Sequence, residues 1–374
     1  MIHLIGIGDD KGNTTLNDFI AIKEADIIIN YDDLDLSFFK DEIRNKKVIS
    51  ANDLISHLKS EDDLKLDTPL EKYTLENSII ELAISKSLES KEVVLIAYDD
   101  PNIMGLANRF LQILSKYEDV KFKIHPSVSS LSKSASIAGA PLNDFAVLNL
   151  SNPIVSLSEL ENKAKHILEA NLVLVIKNPV DDKRDYGRES LNRIKEIVNE
   201  YNDELLTAIV FADGNCSIDK FKDIDDEKID KNSIIIVGNK LSYLLDGLMI
   251  TSSDYIVEPK VISWSEEFFE KHLNGEAPRG LDMDCEYLPC HKELEACDFC
   301  YCPFYPCLDG ITGGYWIKGK DVWSCQNCDW IHKEEPCLAI REGFDEMFED
   351  IDDLKDKHIE LLKLRRRSLL KTLK

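Results

Sequence analysis

The sequence predicts an α/β fold of two lobes, each built on its own sheet. A small cysteine-rich metal-binding module and a C-terminal helix follow. Three observations carry this expectation. Short apolar runs, each the length of one buried strand, alternate with stretches of helical spacing through the first 255 residues. Nine of the ten cysteines fall between Cys285 and Cys337. The length of 374 residues exceeds what one ordinary core covers and suits two or three units.

The chain opens with the apolar run Ile2 to Ile7, which ends in Gly6-x-Gly8 and is followed by Leu16, Phe19, Ile20, Ile22 and Ala25 at helical spacing. That is strand, glycine turn, helix. Asp26 to Asn30, Val93 to Ala97 and Phe145 to Leu150 read as further strands, with helices over Leu75 to Ser90, Met104 to Lys116 and Ser129 to Ala138. Unbroken apolar strands alternating with amphipathic helices imply a mostly parallel sheet covered on both faces. The same logic recurs in strands at Leu172 to Ile176, Leu206 to Phe211 and Ser233 to Val237, with a helix at Glu189 to Tyr201. The expected division is 1–145 for the first lobe, 146–258 for the second, 259–284 for a connector with one helix near Glu266 to His272, 285–340 for the cysteine module, and 341–374 for a charged C-terminal helix.

Composition excludes several classes. Hydrophobic residues at 44% and charged residues at 31% form an ordinary globular mixture. No apolar run approaches the roughly 18 to 20 residues that span a bilayer, so no membrane span is expected. A formal charge of −25, with no basic face in the first 340 residues, argues against a nucleic-acid partner. It leaves room for an anionic ligand wherever lysines and arginines gather in one cleft. Met1-Ile2-His3-Leu4-Ile5-Gly6 reads as a buried strand without the marks of a signal peptide, and a cytoplasmic location is expected.

The cysteine spacing is Cys285-x4-Cys290-His291, then Cys297-x2-Cys300-x-Cys302-x4-Cys307, then Cys325-x2-Cys328, with His332 and Cys337 beyond. A two-residue gap lets two thiolates converge on one ion, which is why paired short gaps mark zinc. The candidate ligands are Cys285, Cys290, His291, Cys297, Cys300, Cys302, Cys307, Cys325, Cys328 and His332, enough for two closed sites; Cys337 is the weakest candidate. Histidines beside cysteines favour zinc, whereas ligation by cysteine alone would favour an iron–sulfur cluster. A disulfide framework is the third reading and requires export. Tyr301, Phe304, Tyr305, Tyr315, Trp316, Trp323 and Trp330 are expected to build the module's core.

Seven segments in order resemble one family. They are Ile5-Gly6-Ile7-Gly8, Ile22-Lys23-Glu24-Ala25-Asp26-Ile27-Ile28, Asp100-Pro101-Asn102-Ile103-Met104-Gly105-Leu106-Ala107, Gly139-Ala140-Pro141-Leu142-Asn143-Asp144-Phe145-Ala146-Val147, Lys177-Asn178-Pro179, Ile236-Val237-Gly238-Asn239 and Asp246-Gly247-Leu248-Met249-Ile250-Thr251. The chain is similar to the tetrapyrrole methyltransferases of cobalamin synthesis, and within them to the precorrin-3B or cobalt-factor III C17-methyltransferase group. The resemblance implies a two-lobed tetrapyrrole methylase fold with S-adenosylmethionine in the cleft, a precorrin or cobalt-precorrin substrate over it, ring contraction with methylation, and a homodimer. It places the cofactor against Gly6, Gly8, Asp100, Pro101, Ile103, Gly105, Ser129, Ala140, Pro141, Gly238, Asn239, Met249 and Ile250. The ring's carboxylates make Lys177, Asn178, Lys183 and Arg184, with Arg188, candidate substrate contacts. A solvated helix start explains those charges equally well. The cysteine-rich segment also resembles a small domain attached to cobalamin-synthesis proteins.

The chain departs from the family pattern at several turns. Asp9-Asp10 stands where Pro-Gly is usual, Asp99-Asp100-Pro101-Asn102 where Gly-Asp-Pro-Gly is usual, Ser127 and Ser129 in place of the glycine and threonine of Pro-Gly-Val-Thr, and Leu248 in place of an arginine. Two functional readings follow: an active methyltransferase, or a methylase-derived scaffold or sensor that binds metal or tetrapyrrole through its cysteine module. The basic, leucine-rich end from Leu354 to Lys374 reads as a helix packed back on its own protein, or as one that meets an anionic surface or another subunit.

Overall fold

The leading strand, β1 (Ile2–Ile7), is covered on both faces, as its apolar run requires. The computed structural model describes residues 1–8, 11–51, 53, 69–181, 187–251, 263–300, 302–307, 309–317, 319–320, 322–353 and 357–372. After β1 come α1 (Leu16–Glu24), β2 (Ile27–Asn30), α2 (Lys40–Ile43), β3 (Lys47–Ser50), α3 (Pro69–Leu88), β4 (Val93–Tyr98), α4 (Ala107–Leu114) and β5 (Phe122–Ile124). The strands form one sheet in the order β3-β2-β4-β1-β5, with every pairing parallel. Successive side chains alternate between faces. Val93 and Leu95 of β4 thus meet Ile80 of α3 and Phe110 of α4, while Val94 and Ile96 join Ala21 and Ile22 of α1 in a second cluster on the other face.

The second layer holds α5 (Ser130–Ala138), β6 (Phe145–Asn149), α6 (Leu157–Glu169), β7 (Val173–Lys177), α7 (Glu189–Asn202), β8 (Leu206–Val210), β9 (Cys216–Lys220) and β10 (Ile234–Val237). Its sheet runs β6-β7-β10-β8-β9. Here the expected repeat of a parallel sheet is corrected: β6 and β7 are parallel, but β7–β10, β10–β8 and β8–β9 are antiparallel. A short turn over 211–215 joins β8 to β9, and a link that short can only reverse the chain. α6 and α7 cover one face. α5 covers the other, packing Leu131 and Ala138 against Val175, Ala208 and Ile236. That helix precedes residue 145, yet its apolar face belongs to the second sheet.

Contacts divide the chain into two compact units: Met1–Val237 with Asp246–Met249, and Gly238–Leu245 with Ile250–Lys374. Both five-stranded sheets lie in the first. β11 (Tyr243–Leu245) belongs to the second unit and β12 (Leu248–Ile250) is divided between the two; α8 (Ser263–Leu273), the antiparallel pair β13 (Tyr315–Ile317) and β14 (Val322–Ser324), α9 (Glu334–Met347) and α10 (His358–Thr372) follow in the second unit. The core of the second unit centres on Phe344, whose ring lies 5.1 Å from Phe269 and 5.5 Å from Phe299. Phe304, Trp323 and Trp330 join it as expected, but Tyr315 and Trp316 remain exposed. α10 packs back on this core through Leu361, Leu364 and Leu369. Among the described residues, no helix is long and apolar enough to cross a membrane.

Candidate active site and thiol cluster

A cleft partly open to solvent lies within the first unit. The carboxyl ends of β1 and β4 contribute Gly8, Tyr98 and Asp99, with Asn13 beside them. Such a crevice is where open α/β sheets bind ligands. α5 contributes Ser130, Lys133, Ser134 and Ile137, which share one helix face by their spacing. The opposite wall is Val210, Phe211, Ala212 and Gly214 of the β8–β9 turn, with Asn232 and Ile234.

Three loops interlock next to this cleft. A Cβ on Gly6 would strike the Asp99 carbonyl and stand 2.7 Å from Ser127 Oγ, and one on Gly105 would stand 2.8 Å from Pro101. Only glycine permits these approaches. Ser127 donates its hydroxyl to the Gly6 carbonyl at 2.8 Å and accepts from the Gly6 amide at 3.2 Å. Asp100 receives the Ser127 amide at 2.8 Å on Oδ2 and the Asn102 amide at 2.7 Å on Oδ1. The Pro101 carbonyl accepts from Ala107, and the Ile103 amide donates to Asp100. Gly8 differs, because a Cβ there meets only the Asn13 side chain, at 3.3 Å.

The other expected cofactor residues are placed as follows. Ser129 is buried as the N-cap of α5, accepting from Ser132 at 3.1 Å. Ala140 and Met249 are buried in the cluster under α5, and Pro141 is exposed. Gly139 ends α5 at φ +60°, where a Cβ would crowd Leu248, the residue found in place of the family's arginine. Gly238, Asn239 and Ile250 belong to the second unit, where Asn239 accepts from the Leu241 amide at 2.9 Å. Of all these, Gly8 alone is among the residues lining the cleft.

Among the candidate substrate contacts, Lys177 Nζ donates to Asp99 Oδ2 at 2.5 Å, and both groups are buried. Asn178, at φ +49°, donates to Asn149 at 3.2 Å. Arg188 donates to the carbonyls of Asp226 and Ile229, at 2.7 and 2.6 Å. Lys183 and Arg184 lie outside the described residues. The cleft residues that sequence reasoning missed, Asn13, Lys133, Phe211 and Asn232, carry no motif. The helical spacing of 130, 133, 134 and 137 was the one available signal.

In the second unit the thiols fall into two neighbourhoods. Burial first, then Cys290, Cys297 and Cys285, push the Cys300 thiol up to about 11. Burial, then Cys307 and Cys328, push Cys325 up to about 12, while Arg365 pulls the other way. Cys302 is raised by burial and then by Cys307. Each set therefore resists becoming a group of free thiolates, and a cation would relieve that cost. Among the described residues, no three His, Cys, Asp or Glu side chains stand close enough to hold an ion as placed. The amides of Cys300 and Cys328 donate to the carbonyls of Cys297 and Cys325, closing both two-residue gaps into turns. His291 lies 3.3 Å from Cys290 Sγ, and its ring is tilted by 31° against that of His332 with centroids 4.1 Å apart. Cys337, raised to about 12 by burial, donates to the Ile331 carbonyl at 3.2 Å and sits in the core.

The chain matches the tetrapyrrole (corrin/porphyrin) methylases over residues 1–217 and a cysteine-rich small domain over 279–355. It is 34% identical over 372 residues to a protein of Methanothermobacter thermautotrophicus named probable cobalt-factor III C(17)-methyltransferase, covering 99% of this chain and 100% of that one. A Methanocaldococcus jannaschii protein of the same name is 28% identical over 277 residues, which is 70% of this chain but 100% of that one. Part of this chain therefore has no counterpart there. The crystal structure of the methyltransferase CobJ shares the fold, with a TM-score of 0.53 at 19% identity over 67% of this chain and 99% of that one.

Proposed function

Because this chain belongs to the tetrapyrrole (corrin/porphyrin) methylases, we propose that it transfers the methyl group of S-adenosylmethionine to C17 of a precorrin-3B or cobalt-factor III ring in cobalamin biosynthesis. The observation that carries this reading is the end-to-end match to the Methanothermobacter protein, which includes the cysteine-rich part. The cleft suits the chemistry. A sulfonium methyl is already activated, so the protein must chiefly bind both reactants, align them and exclude water. Gly8 leaves one wall open to close approach, while Lys133 and Asn232 bring polar groups to a cleft otherwise lined in part by Val210, Phe211 and Ile234.

In the same reading, Cys285, Cys290, Cys297 and Cys300 hold one zinc ion and Cys302, Cys307, Cys325 and Cys328 a second. The support is the donor set and its two neighbourhoods. Zinc there would supply folding energy to the module. An iron–sulfur cluster is the alternative cargo for the all-cysteine sets. Lobes at 1–145 and 146–258, a module at 285–340, a homodimer and a cytoplasmic location complete the proposal, on the strength of the family resemblance.

The test is anaerobic incubation of purified protein with cobalt-factor III and S-adenosylmethionine. The expected result is a ring heavier by one methylene. Absence of calorimetric binding of S-adenosylmethionine at about 1 mM would end the proposal. Tight corrinoid binding without turnover would favour the scaffold or sensor.

A further inference from the structure

Asp99 is an acidic residue at φ +65°, a conformation that glycine adopts without strain. It closes β4, is 3% exposed, and lines the cleft. Each carboxylate oxygen accepts twice. Oδ1 takes the amides of Ser130 at 2.6 Å and Asp100 at 2.8 Å. Oδ2 takes the Ser130 hydroxyl and Lys177 Nζ, both at 2.5 Å. That saturates the roughly four lone-pair sites a carboxylate has. Burial acts to raise this carboxyl, but Lys177 and the Ser130 donors outweigh it and hold it below the usual range.

Asp99 belongs to the first sheet, whereas Ser130 and Lys177 belong to the second layer. Ser130 opens α5, whose apolar face covers the second sheet, and Lys177 ends β7 within that sheet. A buried ammonium such as Lys177 requires a counter-charge, and the head of a helix favours an anion. One carboxylate serves both. Without it, Lys177 Nζ with the Ser130 amide and hydroxyl would surround a vacancy suited to a small carboxylate.

We propose that Asp99 is a positioning residue of the cleft, an internal anion that draws Lys177 and the head of α5 onto the end of β4 and so fixes the spacing of the two layers. The activity arm of the test rests on the proposed function; the stability arm does not. Asp99→Gly removes the anion while easing the backbone. Its kcat/KM for methyl transfer is expected to fall at least about tenfold, since small misplacements in a site cost that much or more. Its melting temperature should fall by about 5 °C or more. Sodium formate at tens of millimolar, against chloride of equal ionic strength, should recover part of both losses and leave the wild type unchanged.

The proposal is overturned if Asp99→Gly matches the wild type in both measures, or if formate fails to raise the variant's melting temperature above the chloride control. Asp99→Asn should lose activity without responding to formate, because its amide fills the vacancy. If Asp99→Gly does not fold, Lys177→Met decides the matter: wild-type kcat/KM in that variant overturns the proposal. A wild type inert toward both substrates, beside a formate-stabilised Asp99→Gly, would defeat the proposed function and uphold the role of Asp99.

Discussion

Arg365 of α10 donates to Asp309 at 2.5 Å, and both side chains are buried under the second unit's core. Its other terminal nitrogen donates to Thr312 at 2.7 Å, and its guanidinium lies 5.3 Å from the centre of the Trp330 ring. The basic end of the chain is thus anchored in the cysteine module. Arg365→Met leaves Asp309 buried without its partner and should cost about 3 kcal/mol. Arg365→Met with Asp309→Leu should recover much of that loss. Denaturant unfolding followed by tryptophan fluorescence reads both; equal loss in the single and double variants would refute the pair's role.

Gly6 and Gly8 should separate folding from binding. Gly6→Ala forces a methyl against the Asp99 carbonyl and should destabilise the first unit by about 2 kcal/mol or more. Gly8→Ala pushes only on the Asn13 side chain, so its stability should stay within about 0.5 kcal/mol of wild type. Calorimetry should nonetheless show weaker S-adenosylmethionine binding in Gly8→Ala. Undiminished affinity there would remove Gly8 from the binding wall.

Metal analysis of the anaerobically purified chain should return two zinc ions. Cys325→Ser should lose one and keep the other, because Cys325 neighbours Cys307 and Cys328 rather than Cys300. A chelator should unfold the module, visible as loss of near-ultraviolet tryptophan signal, before it affects the first unit. Iron with acid-labile sulfide would replace zinc by a cluster.

His3 Nδ1 lies 3.0 Å from His125 Nε2, and His125 Nδ1 lies 2.9 Å from Asp18, though not aligned as a hydrogen bond. Burial lowers both histidines, with His125, then Lys123 and the N-terminus, adding to it at His3 and Lys123 at His125; Glu92 at His3 and Asp18 at His125 oppose it. A histidine lowered in the fold contributes stability above its unfolded value of 6.5, and loses it as pH falls through the lowered value. Asp18, raised by burial against its Thr15 and His125 contacts, acts in the opposite sense: its contribution is complete below 3.8 and lost as pH rises through the raised value. Melting temperature should therefore fall as pH drops below 6.5, and fall less in a His3→Gln, His125→Gln variant. Parallel pH profiles would exclude these histidines as the cause.

Much of the first layer was legible because β1, β2 and β4 are unbroken apolar runs, and a run of that length buried on both faces admits few alternatives. β3, β5 and β9 were not, because each lies at a sheet edge, is three to five residues long and keeps residues exposed. The glycine turns lie next to the cleft, but most of their residues hold loops together, while many of the side chains that line the cleft come from α5 and the β8–β9 turn.

By itself the sequence determined the two-layer α/β body, the family, and a thiol-rich module with enough donors for two ions. These depend on spacing along the chain, which periodicity and short cysteine gaps record directly. Tertiary structure alone decided the antiparallel half of the second sheet, the packing of α5 across the lobe boundary, the sorting of thiols into two neighbourhoods, and the pairing of Asp99 with Lys177. For α5, for β10 between β7 and β8, and for Asp99 with Lys177 the physical reason is the same: each joins groups distant in the chain, and which groups meet is chosen by burial and charge compensation once the layers close, for which no local residue pattern provides a signal.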